Sequence, residues 1–226
     1  MDKVVVLLSG GIDSTTCLAL AVDRYGSDAV SALNVFYGQK HDKEIESAVA
    51  VAEYYGVPYF ELDLSNVLAM SNCSLLAHSK EEVQKGAYAD QIKGANGKPV
   101  STYVPFRNGL FLSAAASYGL SIGAGLIMYG AHADDAAGSA YPDCSARFVE
   151  YMNAAVIEGT GKQIKVEAPF VNINKAEVVA IGLQLGAPYE LTWSCYEGGE
   201  KPCGKCGTCI DRARAFAANN RRDPAL

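Results

Sequence analysis

Short runs of aliphatic and β-branched residues alternate along the chain with longer stretches of helical periodicity, as expected of parallel strands joined by helices. Residues 3–8 read as a strand buried on both faces, because Val4-Val5-Val6-Leu7-Leu8 has no polar alternation. A helix follows over 14–25, a second strand over 29–36, a helix from about 42 to 55, and a third strand over 58–64. Between 65 and 102 the periodicity lapses among polar turns, which predicts an excursion or lid and no core element. The alanine-rich stretch 108–120 predicts a helix, 125–130 a buried strand, and 131–144 a loop. A helix over 145–158, a short strand over 165–169, a helix over 175–185 closed by Gly186, and a last helix over 208–219 complete the chain. The sequence shows no internal repeat and no low-complexity tract. The expected fold is α/β, a doubly wound, mostly parallel sheet over 1–190 with a small C-terminal appendage over 191–226.

Composition narrows the class. Half of the 226 residues are hydrophobic, enough for one large domain's core. The 19 Lys+Arg against 25 Asp+Glu leave a net charge of -6, which argues against binding nucleic acid by charge; no direct nucleic-acid partner is expected. No run approaches the roughly 18 apolar residues of a membrane span. The run at 4–8 is too short for a signal peptide and leads into Ser9-Gly10-Gly11, so a cytoplasmic protein is expected, with no membrane partner. Of the seven cysteines, four fall between Cys195 and Cys209. Such crowding in a cytosolic chain points to a metal and not to disulfides.

The first chemical motif lies where the first strand meets the first helix: Leu7-Leu8-Ser9-Gly10-Gly11-Ile12-Asp13-Ser14-Thr15-Thr16. Two glycines let the backbone turn sharply and approach a ligand. The helix behind them offers unpaired N–H groups and a positive dipole end to an anion. Ser9, Ser14 and Thr15 add hydroxyls. A carboxylate at Asp13 suits a phosphate site if it caps the helix or holds a Mg²⁺ ion. The loop is neither a Walker A sequence nor a three-glycine dinucleotide fingerprint.

The second motif is Cys195 with Cys203-Gly204-Lys205-Cys206-Gly207-Thr208-Cys209. Two overlapping Cys-x-x-Cys steps separated by glycines let the backbone wrap one ion. Four thiolates suit structural zinc, and four cysteines also serve iron–sulfur clusters. With no histidine beside the cluster and no ligand position left for water, structural zinc is expected. Lys201, Lys205, Arg212 and Arg214 are candidates to offset its surplus negative charge.

Further polar segments sit at strand exits, where open α/β sheets bind ligands. In Val35-Phe36-Tyr37-Gly38-Gln39-Lys40-His41, Gln39 and Lys40 are candidates to meet phosphate or substrate and His41 to cap the next helix. His78 and His132 read as surface or loop histidines. Within 103–109, Arg107 and Asn108 stand at a helix start, either facing an anion or serving as a solvated side chain and a cap. In Tyr141-Pro142-Asp143-Cys144, Asp143 is either an acceptor for the N–H groups of a purine-like base or part of a turn. Lys175 opens a helix and offers its ammonium to phosphate or to solvent.

Taken in order, the segments from Ser9 to Cys17, Tyr37 to His41, Val104 to Asn108 and Tyr141 to Cys144 resemble the 7-cyano-7-deazaguanine synthase family of the N-type ATP pyrophosphatases. So do Ala168-Pro169-Phe170 with Asn174-Lys175, and Trp193-Ser194-Cys195 through Cys209, and the resemblance spans nearly the whole chain. It implies a sheet of the adenine-nucleotide alpha-hydrolase (HUP-like) type. It also implies ligation of 7-carboxy-7-deazaguanine with ammonia, driven by ATP through adenylated intermediates, in queuosine biosynthesis. On that resemblance ATP with Mg²⁺ is held by Leu8, Ser9, Gly10, Gly11, Ile12, Asp13, Ser14, Thr15, Thr16, Cys17 and Leu18, with adenine near Val35 and Phe36. Gln39, Lys40, Arg107, Asn108, Asp143 and Lys175 become the catalytic and substrate residues. Lys40, Arg107 and Lys175 serve as cations for departing pyrophosphate and developing charge, and Asp143 reads the deazaguanine edge. Cys195, Cys203, Cys206 and Cys209 hold structural zinc. The partners implied are small molecules, free ammonia included, and a second copy of the chain in a homodimer.

Two other readings compete. A tRNA thiolase of the same superfamily needs a basic RNA surface, which the net charge of -6 opposes. A zinc-ribbon nucleic-acid adaptor needs basic and aromatic residues about the metal, where the tail offers little aromatic platform beyond Trp193 and Tyr196.

Overall fold

The structure, a computed structural model, describes residues 3–94 and 98–225. Among these described residues five strands form one parallel sheet: β1 (Lys3–Leu7), β2 (Val30–Phe36), β3 (Tyr59–Asp63), β4 (Ala124–Met128) and β5 (Lys165–Glu167). Their order is β3-β2-β1-β4-β5, so β1 lies at the centre. Its three valines explain the place: all are buried, and burying one such side chain contributes about 1.5–3 kcal/mol.

The pleat sorts the core into two layers. Val4 and Val6 join α1 (Ile12–Tyr25), α2 (Lys43–Tyr55) and α7 (Lys175–Gln184) through Cys17, Leu18, Val51 and Val178. Val5 points the other way, toward α4 (Arg107–Ile122) and α6 (Ala146–Gly159), among Leu112, Ala115, Ile127 and Val149. The connections from β1 to β2 and β2 to β3 use the first face, and those through α4 and α6 use the second. The chain therefore reverses its winding between β1 and β4, and the crevice at a reversal of this kind is where such sheets bind ligands.

Boundaries shift by at most two residues from the expected ones. β5 ends at Glu167 and not at 169, where Pro169 has no N–H for the ladder. The helix expected over 108–120 runs from Arg107 to Ile122 and closes on Gly123 in the left-handed conformation. Phe106 precedes it at φ +54°, a conformation that costs a non-glycine residue on the order of 1–2 kcal/mol.

The largest correction concerns 65–102, of which 95–97 lie outside the described residues. The segment carries a helix, α3 (Tyr88–Gly94), and a hydrophobic cluster of its own. Leu68, Cys73, Leu75, Leu76 and Val83 pack with Val104, Tyr37 and three of the clustered cysteines. Gln39 bridges to Leu76 and Lys85 to Cys206, and the Gly86 N–H donates to the Lys205 carbonyl at 3.0 Å. Among its described residues the excursion is thus a packed layer clamped to the cysteine loop. α3 has no buried residue, so its sequence carries no apolar stripe to announce it. The short helix α5 (Ala133–Ala136) within the expected loop and the last helix, α8 (Gly207–Ala218), complete the set. α8 packs Ala215 and Phe216 on Ile12 of α1 and Val179 of α7.

Candidate active site

β1 ends in Ser9-Gly10-Gly11, and α1 begins at Ile12 with no side chain capping its N-terminus. Gly10 has φ +84°, and a Cβ there would lie 2.3 Å from the Glu44 carbonyl of α2. Across the loop, a Cβ on Gly130, just beyond β4, would lie 2.7 Å from the backbone of Asp13. Only glycine lets these three backbones meet. The Ser14 hydroxyl accepts from the Ser9 N–H at 3.2 Å and donates to the Gly11 carbonyl at 3.1 Å, which fixes the turn. The N–H groups of the first helical turn face a cleft of about 1300 Å³, open mouth included, at the β1–β4 reversal.

Leu8, Ser9, Gly11, Ile12, Asp13, Ser14 and Val35 line that cleft. The other proposed nucleotide residues sit behind it. Gly10 is pressed on α2, Cys17 and Leu18 belong to the core, and Phe36 is outside the cleft wall. Thr15 is fully buried, and the buried Thr16 bonds the Ile12 carbonyl and the Tyr189 hydroxyl.

Asp13 does not cap α1. Its Oδ2 accepts from the Lys175 ammonium at 2.8 Å, and its buried Oδ1 has no hydrogen-bond partner among the described residues. Burial alone would raise the Asp13 carboxyl, but Lys175 and His132 outweigh it and hold the group well below the usual carboxylate range. Lys175 is set by a capping box in which Asn174 and Glu177 bond each other's backbones, and its own N–H donates to Asp134 at 2.9 Å. Burial works against its charge, and Asp13 and Asp135 more than restore it.

His132 corrects the expectation of a surface or loop histidine. It is 2% exposed, at the start of α5, with Nε2 3.6 Å from Asp13 and 3.5 Å from Asp135. Burial opposes its charge, but the two carboxylates raise its pKa. His78, by contrast, is an exposed residue bonded to the Ser71 carbonyl. His41 does not cap α2; it stands edge-on to Trp193 with ring centroids 6.4 Å apart.

The far wall of the cleft is aromatic and carries Arg107, whose guanidinium lies over Tyr37 at 5.1 Å and Phe111 at 5.9 Å. Tyr88, Tyr141, Trp193 and Tyr196 share that wall, with Tyr88 and Tyr196 joined hydroxyl to hydroxyl at 2.8 Å. Gln39 lines it, its Oε1 accepting from the Tyr37 N–H. Asn108 lines it too and donates its amide to the Asp143 carbonyl and the Cys144 sulfur.

Two proposed substrate residues stand outside the cleft wall. Lys40 is exposed and spends its ammonium on the Glu81 carbonyl at 3.0 Å. Asp143, 3% exposed, accepts from the Asn108 N–H at 2.9 Å and so closes the open N-terminus of α4. Burial pushes its carboxyl up. Asp135, which the sequence places at the ligand-binding edge after the fourth strand, lines the cleft, whereas the sequence reasoning missed Glu44, Tyr88 and Tyr129, which line it too. Their signal is only that each follows a strand exit or opens a helix, which many surface residues also do.

The sulfurs of Cys195, Cys203, Cys206 and Cys209 lie within 4.8 Å of one another, a cluster that can hold a metal ion. Backbone N–H groups of Glu197 and Cys203 donate to the Cys195 sulfur, and those of Lys205 and Cys206 to that of Cys203, as thiolates require. Arg212 does not serve these sulfurs. It is buried, forked onto Asp223 at 2.7 and 2.9 Å, and bonded to Thr192. No helix among the described residues is long and apolar enough to cross a membrane.

The chain is 46% identical over 225 residues to the 7-cyano-7-deazaguanine synthase of Archaeoglobus fulgidus, covering 99% of this chain and 90% of that one. The synthase of Caldicellulosiruptor saccharolyticus is 42% identical over 222 residues, 98% and 94% of the two chains. That of Marinobacter nauticus is 41% identical over 223 residues, 99% and 96%. The family model described as queuosine biosynthesis protein QueC matches residues 3–220. Identity at this level across nearly the whole of both partners, with a family match of that extent, means that the chain belongs to the QueC family of queuosine biosynthesis proteins.

Proposed function

We propose that this enzyme converts 7-carboxy-7-deazaguanine, ammonia and two ATP into 7-cyano-7-deazaguanine, two AMP and two pyrophosphates. One observation carries the reading: an uncapped helix N-terminus beside Lys175 and a cationic aromatic wall open into one cleft. The first end suits a polyphosphate and the second a flat, anionic heterocycle.

A carboxylate resists ammonia because its leaving group would be oxide. Attack of the carboxylate oxygen on the α-phosphorus expels pyrophosphate and leaves an acyl adenylate. Ammonia then forms the C–N bond, AMP departs with one carboxylate oxygen, and an amide remains. A second attack on ATP, by the amide oxygen, gives an imidate adenylate, and loss of AMP and a proton leaves the nitrile.

The chain's own groups support each step. The N–H groups of α1 and the Lys175 ammonium take up the charge of departing pyrophosphate. Arg107 orients the substrate carboxylate, and the tyrosines and Trp193 around it exclude water that would hydrolyse the acyl adenylate. Mg²⁺ fits the orphaned Asp13 Oδ1, a hard oxygen donor, and would neutralise phosphate charge there. Zinc fits the four clustered thiolates, a closed donor set that leaves no position for substrate, and would fasten residues 191–226 against the catalytic unit 1–190. The enzyme works as a cytoplasmic homodimer on small molecules, without nucleic acid.

Incubation with ATP, Mg²⁺, ammonium and 7-carboxy-7-deazaguanine, read by mass spectrometry, should yield the nitrile together with AMP and pyrophosphate. AMP without nitrile would move the substrate to another carboxylate, and neither product would overturn the reading.

A further inference from the structure

Three carboxylates line the cleft among the described residues, and two of them are committed. Asp13 holds Lys175, and Asp135 holds His132 through its ring and its backbone N–H. The third, Glu44 in the first turn of α2, receives no hydrogen bond and no ion pair from any described side chain. Its carboxylate lies near enough to the Tyr37 hydroxyl and the Arg107 guanidinium for each to feel its charge. The residue is half-buried on the cleft wall, and burial pushes its carboxyl up to about 7 in spite of Arg107.

Its position is fixed by the fold, since the Glu44 carbonyl sits against Gly10 and so ties the first turn of α2 to the phosphate loop. On the same wall stand flat aromatic faces, Tyr37, Phe111 and Trp193, with a cation between the first two. A ligand that satisfies the whole wall needs a planar ring, an anionic substituent for Arg107, and two adjacent N–H donors for one carboxylate. A guanine-type edge presents those donors as N1–H and the 2-amino group.

We propose that Glu44 is the residue that selects the deazaguanine base, its two oxygens accepting from N1–H and the 2-amino N–H. This deepens the function proposed above and rests on it. The assignment replaces Asp143, whose carboxylate is spent on the start of α4 and stands outside the cleft wall. A carboxylate that finds both donors is satisfied, while a base lacking the 2-amino group leaves one desolvated oxygen unpaired, the kind of mismatch that binding sites reject strongly.

The test pairs two substrates with two proteins. The substrates are 7-carboxy-7-deazaguanine and its analogue with hydrogen in place of the 2-amino group; the proteins are wild type and Glu44→Gln, each first melted to confirm folding. For wild type the analogue should raise KM about 10- to 100-fold, the size of one charge-assisted hydrogen bond. Glu44→Gln should raise KM for the full substrate by a similar factor, leave KM for ATP within about twofold, and lose most of the discrimination between the substrates. Equal losses on both substrates, or an effect confined to ammonium or ATP, would overturn the assignment while nitrile formation by wild type upheld the function. Absence of nitrile from wild type would overturn both. Should Glu44→Gln melt early, Glu44→Asp replaces it; it keeps the charge and should keep the discrimination, at higher KM for both substrates.

Discussion

Lys175 and Asp13 hold each other charged beside the uncapped start of α1, and the polyphosphate is expected to divide that pair by drawing the ammonium to itself. Lys175→Gln should therefore lower kcat by about 10²–10³, as loss of one preorganised donor does, with little change in KM for the base. AMP release under saturating ATP measures it; an unchanged kcat would remove Lys175 from the reaction. Glu44 yields a prediction with a definite sign. Burial pushes its carboxyl up to about 7 in the folded protein, above the ordinary carboxylate range near 4.5. The folded state holds that proton more tightly, so the group favours folding below about pH 4.5, and this contribution is lost as pH rises through about 7. Glu44→Gln should accordingly be more stable than wild type in urea at about pH 8.5 and equal to it near pH 4, a site that trades stability for binding. At this scale the sequence was legible where the backbone itself makes the site, as at Ser9 to Ser14. It misled on His132, a lone histidine between alanines that reads as a surface or loop residue, because only the β1–β4 reversal brings it to Asp13.

Strands and long helices were readable because burial on both faces leaves an unbroken apolar run and burial on one face a periodic one. β1 and α4 show the first and the second case. α3 was not readable, since its placement comes from outside: its Tyr88 packs against Gly207 and bonds Tyr196, and the preceding Lys85 pairs with Glu197. The excursion and the cysteine loop therefore form one cooperative unit around shared cluster residues such as Leu76 and Cys206. Stripping the metal with a strong chelator should raise hydrogen exchange in 65–94 and 195–209 together, while β1, β2 and β4 stay protected. Exposure of the cysteine loop alone would contradict that coupling.

Across the whole molecule the sheet order places the Ser9-Gly10-Gly11 loop and an aromatic wall around one crevice, and the C-terminal segment closes its rim with Trp193, Tyr196 and Thr208. That segment is fastened by the buried Arg212–Asp223 fork. Asp223→Ala leaves a buried guanidinium without its partner and should cost about 3–5 kcal/mol in a urea melt. A loss under about 1 kcal/mol would show the tail to be an ornament of the fold. The central claim, that one cleft activates the same carbon twice by passing its oxygens to AMP, is tested most directly with substrate labelled by ¹⁸O in both carboxylate oxygens. The account predicts nitrile free of label and two AMP for each nitrile, every AMP carrying one ¹⁸O in its phosphate. Label recovered in water or inorganic phosphate, with AMP unlabelled, would contradict it.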